Sequence, residues 1–300
     1  MNTRFLPLLA AMLVLGAGCA KTPEPIVLPD QPDHESVPLG GEIEITTAQI
    51  VKEATVNEFA RCTLDLSYPN FAAEQLNPVQ RLQIEHEIAH FLARSLNATT
   101  EVDTPADIEP VAETYVHDCE AEINYEYEYL RDAGEELFMN LKRSLETDYM
   151  VTINSNQLLS IKLDEFAYTG GAHANQNSAF INADLSTHQL LTLDDIIDSA
   201  HLKAFTQLEK TKLLAENKDS LYPESAAEFE TIIADTNWIV SDEDLKQFGK
   251  ADNFSLTPTA IIIHYNAYDI APYAAGPIDV EIPYTDIKSM LNPESPVARL

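Results

Sequence analysis

Positively charged side chains are scarce in this chain of 300 residues. Lysine and arginine together number 18, against 49 aspartates and glutamates, which gives a formal net charge of −31. Nucleic acid is therefore excluded as a natural partner, because its phosphates carry charge of the same sign. An anionic membrane surface is repelled as well, except through a lipid anchor, whereas a cationic protein is attracted over long range. Solubility alone would also account for the charge.

Long hydrophobic runs are absent after the N-terminus. The run FLPLLAAMLVLGAG follows Arg4 and has the length of a signal-peptide core, too short for a comfortable membrane span. LGAGC then places Cys19 after small residues, which resembles a bacterial lipoprotein cleavage box, although Gly16 stands where an aliphatic residue is usual. We predict a signal peptide over residues 1–18, a lipidated (palmitate-bearing) Cys19 and, because Ala20 is not aspartate, the outer membrane facing the periplasm. Ordinary secretion is the alternative.

Cysteine is rare. Beyond Cys19 the chain contains only Cys62 and Cys119. In an oxidising, exported compartment an even pair is most simply a disulfide, and two cysteines allow one connectivity. Two buried free thiols are the alternative.

Proline is concentrated in one segment. Residues 19–41 include KTPEPIVLPDQPDHESVPLGG, which carries five prolines and ends in two glycines. Because proline fixes φ and favours extended polyproline II, we predict an extended tether there. The rest of the chain is predicted to form an N-terminal domain over residues 42–178 and a C-terminal domain over residues 179–300.

Strand-like and helix-like segments cluster rather than alternate regularly. Alternating apolar residues predict strands in EIEITTAQIV, RCTLDLSYP, ETDYMVTIN, QLLSIKLDEFAY and NSAFINADL, and at least two more after residue 253. Helical spacing predicts helices over NPVQRLQIEHEIAHFLARSL, from Thr104 to about Tyr129, over LDDIIDSAHLKAFTQLEKTKLLAEN and over YTDIKSML. The first helix is predicted to bury one broad apolar face: Val79, Leu82, Ala89, Leu92, Ala93 and Leu96. This pattern is typical of an α+β fold with largely antiparallel sheets, packed helices and two subdomains.

The first predicted helix contains HEIAH, from His86 to His90, which matches the zinc-protease motif His-Glu-x-x-His. In the enzymatic alternative, a zinc peptidase, Glu109 would supply the third ligand. Ala93 and Leu96 occupy the positions where one zinc-protease class requires glycine and histidine. We therefore expect two histidines at the border of an amphipathic helix, with no metal and no cofactor. No serine or cysteine nucleophile with a supporting partner is recognisable, which also argues against an enzyme.

Two short phrases combine aromatic rings with residues that shape the backbone. In YTGGAH, adjacent glycines provide positive φ for a tight turn; in YDIAPYAAGP, tyrosines flank a proline. Large amphipathic rings suit interfaces but also fill cores. A structural role and ligand contact therefore both stay open for the six candidates: Tyr168, Gly170, Gly171, His173, Tyr268 and Tyr273.

Three stretches resemble a known pair of domains: SIKLDEFAYTGGAHAN, INADLSTHQLLTLDDII and IIIHYNAYDIAPYAAGPIDVEIPYTDI. They are similar to tandem extracytoplasmic bacterial domains of unknown function. Such domains form the outer part of a lysozyme-sensing anti-sigma factor and the N-terminal part of a peptidoglycan N-deacetylase. The resemblance implies a cell-wall setting and protein binding with lysozyme as ligand. Without sigma-binding or deacetylase segments, it implies neither of those activities.

These observations predict a lipid-anchored binding protein of the cell envelope rather than an enzyme. The leading ligand class is a lysozyme-like or other cationic wall-active protein. Peptidoglycan or a glycan strand is the alternative ligand. The zinc peptidase built on HEIAH is the enzymatic alternative.

Overall fold

The computed structural model describes residues 42–58, 60–72, 75–133, 141–216, 253–271 and 273–300. The strands in these ranges are β1 (Ile45–Thr55), β2 (Ala60–Phe71), β3 (Leu141–Asn154), β4 (Leu158–Tyr168), β5 (Asn175–Asp184), β6 (Gln189–Leu190), β7 (Phe254–Leu256), β8 (Ala260–Tyr265) and β9 (Ile278–Pro283). The helices are α1 (Pro78–Ser95), α2 (Glu109–Asp132), α3 (Leu193–Ile196), α4 (Leu202–Glu216) and α5 (Tyr284–Ile287). The predicted signal peptide, Cys19 and the tether lie outside the described residues. Within the described ranges, no helix combines the length and the hydropathy that a membrane-spanning segment requires.

The first six strands form one sheet in the order β1-β2-β3-β4-β5-β6. Neighbouring strands are antiparallel except β2 and β3, which are parallel. A parallel pair requires a long crossover connection, and here α1 and α2 provide it. The predicted α+β fold with largely antiparallel sheets is confirmed.

The last three strands form a second antiparallel sheet in the order β7-β8-β9, which contacts the first sheet at β3, β4 and β5. Ser160 Oγ accepts a hydrogen bond from the Leu256 backbone nitrogen at 3.0 Å. Asn182 Nδ2 donates to the Phe254 carbonyl at 2.8 Å. One hydrophobic core lies between the first sheet and helices α1 and α2, and another between the second sheet and helices α3, α4 and α5. The predicted boundary at 178/179 falls within β5 and stays a prediction.

Helix α1 starts beside Asn77, whose side-chain oxygen accepts from the Val79 backbone nitrogen at 2.9 Å. Its buried stripe follows helical spacing: Gln80, Ile84, Ile88, Phe91 and Ser95. The predicted apolar face was wrong at Val79 and Leu82, which are 64% and 54% exposed. In the first turn of α1 the buried residue is Gln80, because its side-chain amide donates a hydrogen bond to the Asp184 carbonyl at 2.8 Å.

The single helix predicted from Leu193 onward is two helices, so that prediction was wrong. Helix α3 ends before Ile197, whose φ of −99° and ψ of 128° are extended. Ile197 instead forms an isolated β-bridge with Leu291, and α4 begins after a turn. The helix predicted over YTDIKSML is also shorter, since α5 ends at Ile287.

Cys62 of β2 and Cys119 of α2 form the predicted disulfide, with their Cα atoms 6.3 Å apart. Both cysteines are buried in a small cluster with Ala60, Ile123 and Leu141. The bond fastens the second crossover helix to the strand from which the crossover departs.

Candidate functional site

An open groove of about 730 Å³ lies between α1, the ends of β4 and β5, and the segment that follows β8. This volume falls in the range of about 300–1,000 Å³ that small-molecule sites occupy. It is the largest of three neighbouring depressions that all reach Thr169 at the end of β4.

One wall of the groove is rich in side-chain amides: Asn175, Gln176, Asn177, Asn253 and Asn266. Asn177 Nδ2 donates to Glu165 Oε1 at 3.2 Å, and the same glutamate accepts from Ser95 Oγ at 2.6 Å. The amides of Asn175 and Gln176 make no hydrogen bond to another described residue. They therefore offer paired donors and acceptors to a ligand.

Helix α1 also lines the groove, with part of HEIAH. Glu87, His90 and Arg94 line the groove from this helix, and the guanidinium of Arg94 lies 5.9 Å from the ring centroid of Phe91. His86 is exposed but is not among the lining residues. The sequence motif thus supplies a groove wall in this structure.

The structure does not bring Glu109 to these histidines. Glu109 is the first residue of α2, and its Oε1 lies 2.5 Å from Nζ of Lys52 on β1. This hydrogen bond raises the pKa of Lys52. Among the described residues no group of three or more histidine, cysteine, aspartate or glutamate side chains is placed to hold a metal ion.

Three of the six predicted ligand-contact residues form one cluster of rings, and one of them lines the groove. The ring of His173 stacks on Tyr273, with centroids 3.8 Å apart and planes 18° apart. Tyr273 donates to the Ala174 carbonyl, and its ring lies 5.6 Å from that of Tyr268. The two phrases that sequence analysis singled out therefore meet in space.

Tyr268 is the member of this cluster that lines the groove. It is 63% exposed and has a φ of +73°, a conformation that bulky residues rarely adopt. The surrounding turn holds it, because the Asn266 backbone nitrogen donates to Asp269 Oδ2 at 2.8 Å. The turn thus keeps a large amphipathic ring at the groove in spite of the backbone strain.

The other three predicted residues lie elsewhere. Gly170 and Gly171 both have a φ of +97°, which only glycine adopts readily, and Tyr168 donates to the Gly171 carbonyl at 3.1 Å. All three line a separate cleft of about 410 Å³ beside Arg143. Ligand contact by any of the six residues stays a prediction.

Asn266 is a residue that sequence analysis missed. Its Oδ1 accepts from the Ser178 backbone nitrogen at 2.6 Å, and its Nδ2 donates to the Ser178 carbonyl at 3.3 Å. One side chain thus hydrogen-bonds to β5 as a neighbouring strand would. The only signal in the sequence was an asparagine placed directly after the strand AIIIHY.

A buried histidine holds Asn266 from the other side. His264 is 2% exposed; its Nδ1 lies 2.6 Å from Asp279 Oδ1 and its Nε2 lies 3.2 Å from Asn266 Oδ1. Because Ser178 fixes the orientation of the Asn266 amide, both ring nitrogens of His264 face oxygen atoms. Burial alone would raise the pKa of Asp279, but the hydrogen bond and charge of His264 hold it below its usual range.

Comparison with known families identifies two consecutive segments. Residues 56–176 match the family described as "Deacetylase PdaC", and residues 179–285 match the family described as "Protein of unknown function (DUF3298)". The chain carries these two domains in tandem. The resemblance predicted from the sequence is confirmed. The groove takes its walls from both segments, since α1 and β4 belong to the PdaC-type domain and Asn253 and Asn266 belong to the DUF3298 domain.

One curated relative is the peptidoglycan-N-acetylmuramic acid deacetylase PdaC of Bacillus subtilis. It is 25% identical over 157 residues, which are 50% of this chain and 30% of the relative. The chain thus spans less than a third of the length of that enzyme.

Two solved structures share the fold of the tandem. A DUF3298 family member from Bacteroides fragilis has a TM-score of 0.58 at 24% identity, covering 84% of this chain and 94% of that one. A DUF3298 family protein from Pseudomonas aeruginosa has a TM-score of 0.51 at 22% identity, covering 85% of this chain and 97% of that one. At these identities the likeness shows the fold alone.

Proposed function

We propose that this chain is a binding protein of the cell envelope whose groove holds a glycan strand of peptidoglycan. The observation that carries the proposal is that one groove holds the exposed ring of Tyr268 and two side-chain amides, Asn175 and Gln176, that make no hydrogen bond to another described residue. The groove also lies where two domains meet, a common position for ligand sites.

The chemistry of this groove suits N-acetylated amino sugars. Side-chain amides donate to and accept from hydroxyl and acetamido groups, and a tyrosine face packs against the apolar face of a sugar ring. The name of the Bacillus subtilis relative supports the same ligand class, because that protein acts on N-acetylmuramic acid in peptidoglycan. No catalytic role is proposed for the groove.

The test is co-sedimentation of the purified protein with peptidoglycan sacculi. Tyr268→Ala and Asn175→Ala should each reduce the bound fraction, because each removes a contact surface from the groove. Tyr125→Ala is a matched control, since Tyr125 is 75% exposed on α2 and lies outside the groove. The proposal fails if sacculi retain none of the protein, or if groove and control variants bind equally.

A second candidate ligand is a lysozyme-like or other cationic wall-active protein. The net charge of −31 favours it, as do two exposed tyrosines on α2, Tyr125 and Tyr129, which are 75% and 66% exposed and one turn apart. Its association rate should fall steeply between 0.1 and 1 M salt, where the Debye length shrinks from about 10 to about 3 Å. A rate that salt leaves unchanged, measured by surface plasmon resonance with lysozyme, rules this candidate out.

The lipid anchor on Cys19 and the outer-membrane location are also proposals. The sequence of the leader and of its cleavage box supports them. The disulfide between Cys62 and Cys119 is consistent with an oxidising compartment outside the cytoplasm.

A further inference from the structure

Arg94 stands apart from the other arginines in the described part of the chain. Each of those five pairs with a carboxylate: Arg61, Arg81, Arg131, Arg143 and Arg299. Arg94 has no ion pair with any described residue. In a protein with 49 acidic and 18 basic residues, an arginine without such a partner is unexpected.

The position of Arg94 makes its free donors useful. It lies in the last turn of α1, is exposed and lines the groove, while its guanidinium sits over the ring of Phe91, which is 3% exposed. A guanidinium over an aromatic ring gains a cation–π contact that limits its motion. Its N–H groups stay available in the fork arrangement that matches a carboxylate.

The acidic groups of the groove are partly engaged by their own neighbours. Glu165 accepts from Ser95 and Asn177, and Asp269 accepts from the Asn266 backbone. Glu87 lines the same wall two helical turns before Arg94 and forms no ion pair with it. The positive charge of Arg94 is therefore left for a group that the described protein does not supply.

We infer that Arg94 reads a carboxylate on the bound strand, so that the groove selects an acidic N-acetylated amino-sugar strand over a neutral one. This inference rests on the proposed glycan-binding function and names its ligand more closely. Two sources carry that chemistry: the lactyl carboxylate of an N-acetylmuramic acid residue without peptide, and the free carboxylates of an attached peptide. Arg94 is a specificity-determining residue, since an arginine–carboxylate pair formed by two parallel hydrogen bonds is strong and directional.

Three oligosaccharides distinguish the sources in titration calorimetry at low ionic strength. They are a neutral N-acetylglucosamine tetramer, an alternating tetrasaccharide with free lactyl carboxylates, and the same tetrasaccharide with peptides on the lactyl groups. We expect at least one acidic probe to bind about tenfold more tightly than the neutral tetramer. The probe that does so identifies the source.

Variants in α1 test whether Arg94 causes the preference for acidic probes. Arg94→Ala should remove the preference for the acidic probe over the neutral tetramer, and Arg94→Lys should restore part of that preference by keeping the charge without the fork. Arg81→Ala is the matched control, because Arg81 is on the same helix, pairs with Glu85 at 3.3 Å and lies outside the groove. It should retain the full preference.

The outcomes separate this inference from the function on which it rests. Equal affinity for all three probes, or a preference that survives in Arg94→Ala, overturns the role of Arg94 while glycan binding stands. A lower melting temperature in Arg94→Ala with the preference intact assigns Arg94 only to the stabilisation of the helix C-terminus. Absence of binding to every probe overturns the proposed function, and the inference with it.

Discussion

The Nε2 atom of His264 lies 3.2 Å from Oδ1 of Asn266, and this contact joins the buried core of the second sheet to a groove residue. Asn266 in turn hydrogen-bonds to both backbone groups of Ser178 on β5. The chain from Asp279 through His264 and Asn266 to Ser178 therefore crosses from the second sheet to the first. Charged groups near this chain are Lys162, Asp164 and Asp269.

His264→Gln should destabilise the protein by about 1–2 kcal/mol, because a glutamine side chain cannot contact Asp279 and Asn266 from its two sides as the two ring nitrogens do. The Asp279 side chain is 57% exposed, so solvent screens its interaction with His264 and the loss is modest. Urea denaturation measures the loss, and His117→Gln on the exposed face of α2 is the control. A free energy of unfolding that His264→Gln leaves unchanged would contradict a stabilising role of these two contacts.

Asp279→Asn should reveal the pH dependence of this contact. The pKa of Asp279 is lower in the folded protein than in the unfolded chain, so its contribution to stability is present above the unfolded value of about 4. The contribution is lost as the pH falls through the folded value. The unfolding free energy of the unmutated protein should exceed that of Asp279→Asn at about pH 5, and the difference should narrow below pH 4. A gap that widens in acid would refute the assignment.

Replacing both cysteines of the disulfide, Cys62→Ala with Cys119→Ala, should destabilise the protein by about 4 kcal/mol in the chain-entropy model, given a sequence separation of 57. Alanine is chosen because both positions are buried in an apolar cluster. Denaturant titration measures the change. In the unmutated protein, denatured without reduction, thiol titration should find neither Cys62 nor Cys119 reactive. Two reactive thiols would disprove the bond.

Tyr268→Ala should affect glycan binding, whereas Tyr273→Ala should affect thermal stability. Tyr268 is exposed in the groove, so its loss should weaken glycan binding with little change in melting temperature. Tyr273 stacks on His173 and donates to Ala174, so its loss should lower the melting temperature by several degrees. Binding and thermal denaturation of the same two samples decide. The reverse pattern would assign Tyr273 to the ligand and Tyr268 to the fold.

Cys19→Ala should release the protein from membranes into the periplasmic fraction, because a lipidated cysteine is the proposed anchor. Cell fractionation with immunodetection measures this, and Cys62→Ala serves as a control that keeps Cys19. A Cys19→Ala protein that stays with the membranes shows that something other than this cysteine holds it there.

Local and compositional signals predicted much of the fold. The strands, α1, α2 and the Cys62–Cys119 bond follow from alternation, helical spacing and an even cysteine pair, all of which act over short stretches or by elimination. The groove was not predictable in this way, because it unites α1 with Asn175 and Asn266, which are far apart in sequence. Ile197 shows the same limit: its helical sequence context yields to a bridge with Leu291.

Side-chain polarity predicted burial poorly where a polar residue faces the core. Val79 and Leu82 were expected in the core because they are apolar, yet Gln80 is buried in their place, since its amide reaches the Asp184 carbonyl. The six predicted contact residues were found from unusual local chemistry. Only a three-dimensional arrangement could separate Tyr268 in the groove from Gly170 and Gly171 in the neighbouring cleft.

The disulfide between β2 and α2 shortens the length of chain that must be closed into a loop before β2 and β3 can pair. Cys62 of β2 is the register partner of Arg143 on β3, so the two strands must meet across 81 residues of chain, from 62 to 143. Once Cys62 is bonded to Cys119, the covalent path to Arg143 is only 24 residues, from 119 to 143. Loop-closure entropy then favours the pairing by about 1 kcal/mol. Both cysteines precede β3, so a chain that is oxidised as it emerges, N-terminus first, can add this strand as a nearly local event.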